Sequence, residues 1–292
     1  MLEHKERPIN RKVKKRLWLN AIMKTGFFAA TLIGLIFLAL LLYRVLNQGI
    51  GYLSWDYITS FPAPFPEEAG IWAGLVGSIM LMVIVAAIAV TIGVATAIYL
   101  EEYAPKNKFT EFIRANIQNL AGVPSIVFGL LGLTFFVYMF SIGYRLLAGG
   151  LTMALLILPV IVVASQEAVR SVPNELREAS YGMGASKWQT IARIILPAAL
   201  PGMLTGTIIA LSRAIGETAP LIIVGAATAI YTLPDSLLSK YTVMPIQIYN
   251  WTGRPQEEWQ YVAAAGIIVL LVVLLMMNAI AVGIRNKFQK RL

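Results

Sequence analysis

The chain alternates long apolar runs with short polar stretches. Charge-free runs extend over 25–43, between Lys24 and Arg44, and over 69–100, between Glu68 and Glu101. Two more, 115–144 and 146–166, are parted only by Arg145, and another covers 259–284. The stretch 194–234 is interrupted only by Arg213 and Glu217. A bilayer crossing takes about 20 apolar residues, because roughly 30 Å of hydrocarbon is climbed at about 1.5 Å per residue. The pattern therefore predicts an all-α polytopic membrane protein with six transmembrane helices. The 69–100 run is too long for one upright helix, so its first residues are expected at the interface.

Composition supports that reading. Of 292 residues, 58% are hydrophobic and 13% charged, where soluble domains carry about 25% charge. The absence of cysteine excludes disulfides and thiolate metal sites and leaves the redox compartment open. The single histidine, His4, lies in a polar tail without partner ligands, so no metal site is expected. The net charge of +9 would suit nucleic acid, but its placement points to a membrane. With both termini in the cytoplasm, 19 of the 24 Lys and Arg fall on the inside and four, Arg44, Arg145, Lys240 and Arg254, on the outside, with Arg213 within a span. That bias fixes the orientation and argues against a nucleic-acid partner. The first run is too long for a signal-peptide core and lacks a small-residue cleavage site, so it is expected to remain as an anchor.

The expected organisation is a basic cytoplasmic tail over 1–24, meeting anionic lipid, and a first anchor over 25–46. An external segment over 47–70 follows, extended by Pro62, Pro64 and Pro66. The main membrane domain covers 71–286, and a basic tail covers 287–292. A second long outside segment, 225–258, ends in a polar run.

The inside segment 166–197 is long for a simple turn and has helical grammar of its own. Ser171 is expected to cap a short helix with Pro173 in its first turn and Glu175 and Glu178 near its positive end. Val172, Leu176 and Ala179 share a face. Gly182 and Gly184 then break the helix. Ser186 with Gln189 forms a capping box for a second helix. That helix is expected to carry an apolar stripe of Trp188, Ile191 and Ile195, with Pro197 and Pro201 opening the fifth span. A helix, a glycine elbow and a helix at the cytoplasmic surface suit either a docking element or an amphipathic pair lying on lipid.

Candidate chemistry is sparse. A phosphate-cradling loop of the Gly-x-x-x-x-Gly-Lys-Ser/Thr kind is absent, so this chain is not expected to bind ATP itself. One terminal histidine and no span lysine argue against a hydrolytic triad or dyad. What stands out within the apolar runs is Arg213 and Glu217. A charge there costs about 3 kcal/mol and should face a cavity or a partner. Spacing i, i+4 puts them on one helix face, flanked by the hydroxyls of Ser212 and Thr218. Gly216 admits a close backbone, and Pro220 is expected to kink the helix. Two uses fit: an ion pair gluing helices, or a site for a passing anion with the arginine forking onto its oxygens. In the third run, Gly122 and Pro124 should interrupt the helix. Ser125 would then offer a hydroxyl and a free amide to an anion, or the proline would simply kink a packing contact.

The run from Arg177 to Ser186, Arg-Glu-Ala-Ser-Tyr-Gly-Met-Gly-Ala-Ser, followed by Ile194-Ile-Leu-Pro197, resembles the "EAA" loop of type I ABC importer permeases. Glu178, Ala179 and Gly184 match that motif, Ser180 replaces its second alanine, and Ala185 follows. Ser212-Arg-Ala-Ile-Gly-Glu-Thr-Ala-Pro-Leu221 resembles the signature of phosphate-specific transport permeases, with Ala219-Pro220 nearer the A-type subunit than its C-type partner. The Pro124–Gly129 stretch and the Trp-Gln-Tyr-Val start of the last span agree. The likeness runs from about residue 70 to the end.

The resemblance implies a type I permease fold in a bacterial or archaeal plasma membrane and a non-enzymatic role as the subunit that passes inorganic phosphate. It implies a homologous C-type permease as heterodimer partner, two ATPase subunits holding ATP and magnesium, and an external phosphate-binding protein. The 178–185 elbow would be the coupling helix. Arg213 would lower the barrier to the anion, with Glu217 orienting it. The competing readings are a permease for another oxyanion such as phosphonate or molybdate, a stand-alone secondary carrier, and a non-transporting regulatory membrane protein.

Overall fold

The computed structural model describes residues 11–226 and 230–289. His4, the tip of the basic tail, residues 227–229 of the outside segment and the final Lys290 and Arg291 lie outside the described residues. Every regular element among the described residues is helical.

Helix α1, Arg11–Gly49, is one unbroken helix that takes in the basic segment from Arg11 onward as well as the first apolar run. It stands against the rest of the chain at its outer end only, where Gly49 meets Ala264 and Ala265 closely enough that a Cβ would fall 2.7 Å from their backbone. Val45 is buried and Leu42 half-buried at the same end, and the large apolar side chains from Val13 to Leu41 are exposed, as suits a helix solvated by lipid. In the segment that follows, Ser60 and Phe65 have extended backbone, 61–63 form no regular element, and Pro66 opens a 3₁₀ turn, Pro66–Glu68. Between them and α1 lies the short α2, Trp55–Thr59, capped by Ser54.

Helix α3, Trp72–Ile98, runs on through a π-type turn, Tyr99–Tyr103. As expected, the first residues of its apolar run, 69–71, lie before the helix. The third apolar run departs most from expectation. It is interrupted at Gly122 and Pro124, as expected, into two helices, α4 (Lys108–Leu120) and α5 (Ser125–Gly132, continued as a π-type segment to Met139), but the bend between them is 106°. Pro124 supplies no N–H and disfavours helix in the residue before it, and Gly122 beside it adds freedom, so the chain turns there. Helix α6, Leu146–Arg170, is the central post and packs on α3, α5 and, later in the chain, α9.

The cytoplasmic elbow forms α7, Asn174–Gly182, and α8, Lys187–Thr190. Ser171 does not cap α7: it closes α6, its hydroxyl donating back to the Ala168 carbonyl at 2.8 Å, and Pro173 occupies the cap position of α7. The Ser186–Gln189 capping box is present in both directions. The expected stripe splits: Ile191 and Ile195 are buried against Val169, Val172 and Met203, whereas Trp188 points outward and is 66% exposed. Prolines 197 and 201 open no new helix. The chain stays helical from Lys187 through a π-type segment, Ile191–Ile195, into α9, Leu196–Ile215. A wider π turn leaves a backbone carbonyl free of its usual partner and accommodates a proline in the following turn.

The fifth run then breaks. Helix α9 stops at Gly216, and a second short helix, α10 (Ala219–Ile223), follows. The chain returns outside to α11, Met244–Thr252, and closes with α12, Glu258–Gln289. Among the described residues, five helices are long and apolar enough to span, and six if the bent α4–α5 pair is one crossing.

Small residues set the closest approaches. A Cβ on Gly77 of α3 would lie 2.0 Å from the Thr242 carbonyl oxygen, which is backbone and cannot give way. Gly77→Val should therefore destabilise the outer half by about 2 kcal/mol or more. Thermal unfolding of the purified chain in detergent would show it as a lowered midpoint; an unchanged midpoint would contradict this packing.

Candidate functional site

The residues singled out within the apolar runs converge at one depth. Gly202 and Gly206 of α9 lie against Ala168 and Ala164 of α6. Extending that antiparallel register places Arg213 level with Ile157, near the middle of α6. The side chain of Ser212 reaches α12 at Asn278, and Arg285 of α12 reaches Thr205, in the same antiparallel register. In α5, a Cβ on Gly132 would meet Thr152 of α6 at 2.0 Å. That register sets Ser125 level with Pro159, the same depth as Arg213.

The break in α9 gives Arg213 its setting. Arg213 occupies the last turn, where the free carbonyls of a helix end favour a cation. The Gly216 and Glu217 amides fold back to the Arg213 and Ala214 carbonyls, both at 3.2 Å. Glu217 thus lies just beyond the helix rather than on its face, yet it still reaches Arg213: Nε donates to Oε1 at 3.1 Å. The arginine side chain is 50% exposed and the glutamate 19%. Among the described residues only Nε is bonded, so both terminal amino groups of the guanidinium remain for another acceptor. A fork of that geometry matches two oxygens of a tetrahedral oxyanion.

Ser212 is fixed more tightly than the sequence suggests. Its hydroxyl lies 2.7 Å from the Ile208 carbonyl and within bonding range of the Asn278 side-chain amide. One proton cannot serve two acceptors. The hydroxyl therefore donates to one of the two, the Ile208 carbonyl at 2.7 Å or Asn278 Oδ1 at 2.5 Å. Asn278 is an amide amid the apolar residues of α12, and that isolation was the available signal.

Thr218 precedes α10, half-buried, and Pro220 sits in the first turn of α10 instead of kinking a continuous helix. Gly129 of α5 packs on Pro220, where a Cβ would lie 2.8 Å from Cα. The α5–α10 contact therefore brings the start of α5, with Ser125 half-buried, toward the break that holds Thr218 and Glu217. The structure brings Arg213, Glu217 and Thr218 into one break and puts Ser125 at their level on the neighbouring helix. Ser212 points the other way, into α12.

The elbow residues lie beyond the end of α6, well away from this break. Glu178 and Ala179 are exposed on α7, and Gly184 takes a φ of +83°, the left-handed conformation that favours glycine. Ala185 is half-buried beside it. Ser180 faces inward, its hydroxyl 2.8 Å from that of Thr190. Around the elbow, Met183 is 79% exposed, and Leu176, Tyr181 and Trp188 are also exposed.

The profile of the family described as "Binding-protein-dependent transport system inner membrane component" matches residues 89–290. The chain belongs to this family. Its relatives include the probable ABC transporter permease protein YqgI of Bacillus subtilis, 32% identical over 97% of this chain and 99% of that one. The phosphate transport system permease protein PstA of Mycobacterium leprae is 37% identical over 86% of this chain and 82% of its own length. PstA 1 of Mycobacterium tuberculosis strain H37Rv is 34% identical over 81% and 78%. Among solved structures, a bacterial ABC transporter that imports the acidic polysaccharide alginate superposes with a TM-score of 0.65 at 15% identity. It covers 93% of this chain and 99% of its own. The MetNI methionine transporter in an inward-facing form gives 0.62 at 18% identity, over 75% and 97%. The fold of this family member is that of a type I ABC importer permease, and the chain is a multi-pass membrane protein.

Proposed function

We propose that this chain is the membrane subunit that passes inorganic phosphate through an ATP-driven importer of the plasma membrane. The observation that carries the reading is the Arg213–Glu217 pair at mid-membrane depth, with the arginine's terminal amino groups uncommitted. The phosphate permeases among the relatives favour phosphate over other oxyanions.

In this reading Arg213 offers two donors to the anion as it crosses the least hospitable depth of the bilayer. Thr218 and Ser125 add hydroxyl donors from the two sides of the α5–α10 contact. Glu217 holds the guanidinium and, as a like charge to phosphate, keeps the site weak enough to release it. Residues 71–286 form the permease domain, with 1–24, 25–46, 47–70 and 287–292 as tail, anchor, external segment and tail. A homologous C-type permease covers the exposed side of Arg213. Two ATPase subunits hold ATP and magnesium and do the hydrolysis, docking on the elbow of Glu178, Ala179, Gly184 and Ala185, with Ser180 as its inward anchor. An external binding protein delivers phosphate.

Labelled phosphate uptake at low external phosphate, in cells lacking this chain and then complemented, tests the reading. Uptake should return with the chain and should resist excess molybdate and phosphonate. Competition by one of those anions at equal concentration would reassign the substrate. Glu217→Gln removes one charge-assisted bond from Arg213 and should lower the maximal uptake rate about tenfold; a wild-type rate would remove Glu217 from the site.

A further inference from the structure

Beneath the elbow lies a cluster of three arginines and three glutamates that the proposed site does not use, the third glutamate being Glu167, which Arg170 Nη1 meets at 2.9 Å. Glu101 and Glu102 come from the π-type turn at the inner end of α3, Arg114 from α4, Arg170 from the end of α6 and Arg177 from α7. The three guanidiniums are committed to carboxylates and backbone carbonyls, so the cluster is not built to take an anion. Arg170 grips Glu101 with two bonds, each 3.0 Å, and Arg114 shares that carboxylate and also bonds the Leu100 carbonyl.

Arg177 makes the widest span. Its Nη1 donates to the Val172 carbonyl at 2.6 Å and to Asn174 Oδ1 at 3.0 Å. Its Nη2 donates to the Val169 carbonyl at 2.9 Å and to Glu102 Oε1 at 3.2 Å. Val169 lies in the last turn of α6, whose free carbonyls want a cation. The Arg177 side chain is 15% exposed and that of Glu102 9%. A charged fork with several partners in so dry a setting is stiff.

The backbone of α7 packs on α8 and on the π-type segment leading into α9. The Ser180–Thr190 bond joins α7 to that continuous helix, the one that ends at Arg213. Arg177 is the charged link from α7 itself to α3 and to the end of α6; beside it, Lys187 of α8 lies over the Tyr103 ring, and Ile191 and Ile195 pack on Val169 and Val172. We infer that Arg177 is a positioning residue, a strut that carries displacement of α7 into α3 and α6 while Ser180–Thr190 carries it into α9. The inference rests on the proposed docking of an ATPase at the elbow. With the strut cut, the elbow would still be driven, but α3 and α6 would follow it less closely.

The test uses the complete transporter in proteoliposomes, with ATP hydrolysis and phosphate uptake measured together. Arg177→Gln and Glu102→Gln should hydrolyse ATP within about twofold of wild type. Phosphate moved per ATP should fall at least about tenfold. The chain has no cysteine, so Glu102→Cys with Arg177→Cys can be joined by a short bis-methanethiosulfonate, each thiolate displacing methanesulfinate to form a disulfide. The joined pair should regain phosphate per ATP relative to the same protein before joining. Unchanged phosphate per ATP in the glutamine variants, hydrolysis and uptake falling in proportion, or no recovery on joining would overturn the strut. Spin labels at Glu178→Cys and Asn116→Cys, in the full chain in detergent, read the strut without substrate. Their distance distribution should broaden in Arg177→Gln, and an unchanged distribution would overturn it. Wild-type transporter that hydrolyses ATP and moves no phosphate would instead contradict the phosphate reading, leaving the spin labels to decide the strut.

Discussion

Arg213→Ala should reduce phosphate uptake by at least about a hundredfold, the range seen when a preorganised charge-stabilising donor is removed. The variant should remain in the membrane at wild-type abundance, because the arginine is half exposed and, among the described residues, its ion-pair partner is Glu217 alone. Arg213→Lys keeps the charge but loses both the fork and the Nε bond, so it should recover only part of the rate. Uptake by the lysine variant at the wild-type rate would mean that charge suffices and that the geometry of the fork is irrelevant. Uptake by the alanine variant above a few per cent of wild type would take Arg213 off the path.

The second large effect belongs to the elbow. Met183 stands beside Gly184 and is 79% exposed, with Trp188, Tyr181 and Leu176 exposed around it. Covering a methionine is worth about 2 kcal/mol, and burying an unpaired carboxylate in its place costs several more. Met183→Asp should therefore weaken capture of the ATPase subunits by at least about a hundredfold. Folding should be little affected, because the side chain is at the surface. Co-purification of the ATPase with the tagged permease reads this directly. An ATPase that still co-purifies in full would place the docking surface elsewhere.

The two effects separate because the sites are far apart and connected only through helices. Loss of Arg213 leaves an assembled transporter that should hydrolyse ATP without moving the anion. Loss of Met183 leaves an intact path with nothing to drive it.

Much of this was legible in the sequence, for reasons that also explain what was not. Apolar runs report membrane spans reliably because lipid tolerates little else. The capping box at Ser186 and the left-handed turn at Gly184 are local signals, set by residues a few positions apart. The break before Ser125 was legible from Gly122 and Pro124, but its 106° angle was not, since direction depends on what α4 packs against. Ser171 could cap a following helix or close a preceding one, and only the end of α6 decides between them. The stop at Gly216 was masked by the apolar run continuing beyond it, so Pro220 was expected to kink a helix that had already ended. Asn278 and the Glu101–Arg177 cluster are long-range partnerships, and one sequence does not show which helices meet.

The most direct test of the account is phosphate uptake by purified transporter in proteoliposomes, with phosphate-loaded binding protein outside and ATP either present or withheld inside. The account predicts phosphate accumulation that requires both this chain and internal ATP. Uptake that proceeds at the same rate without ATP, or through this chain with no ATPase bound, would contradict it.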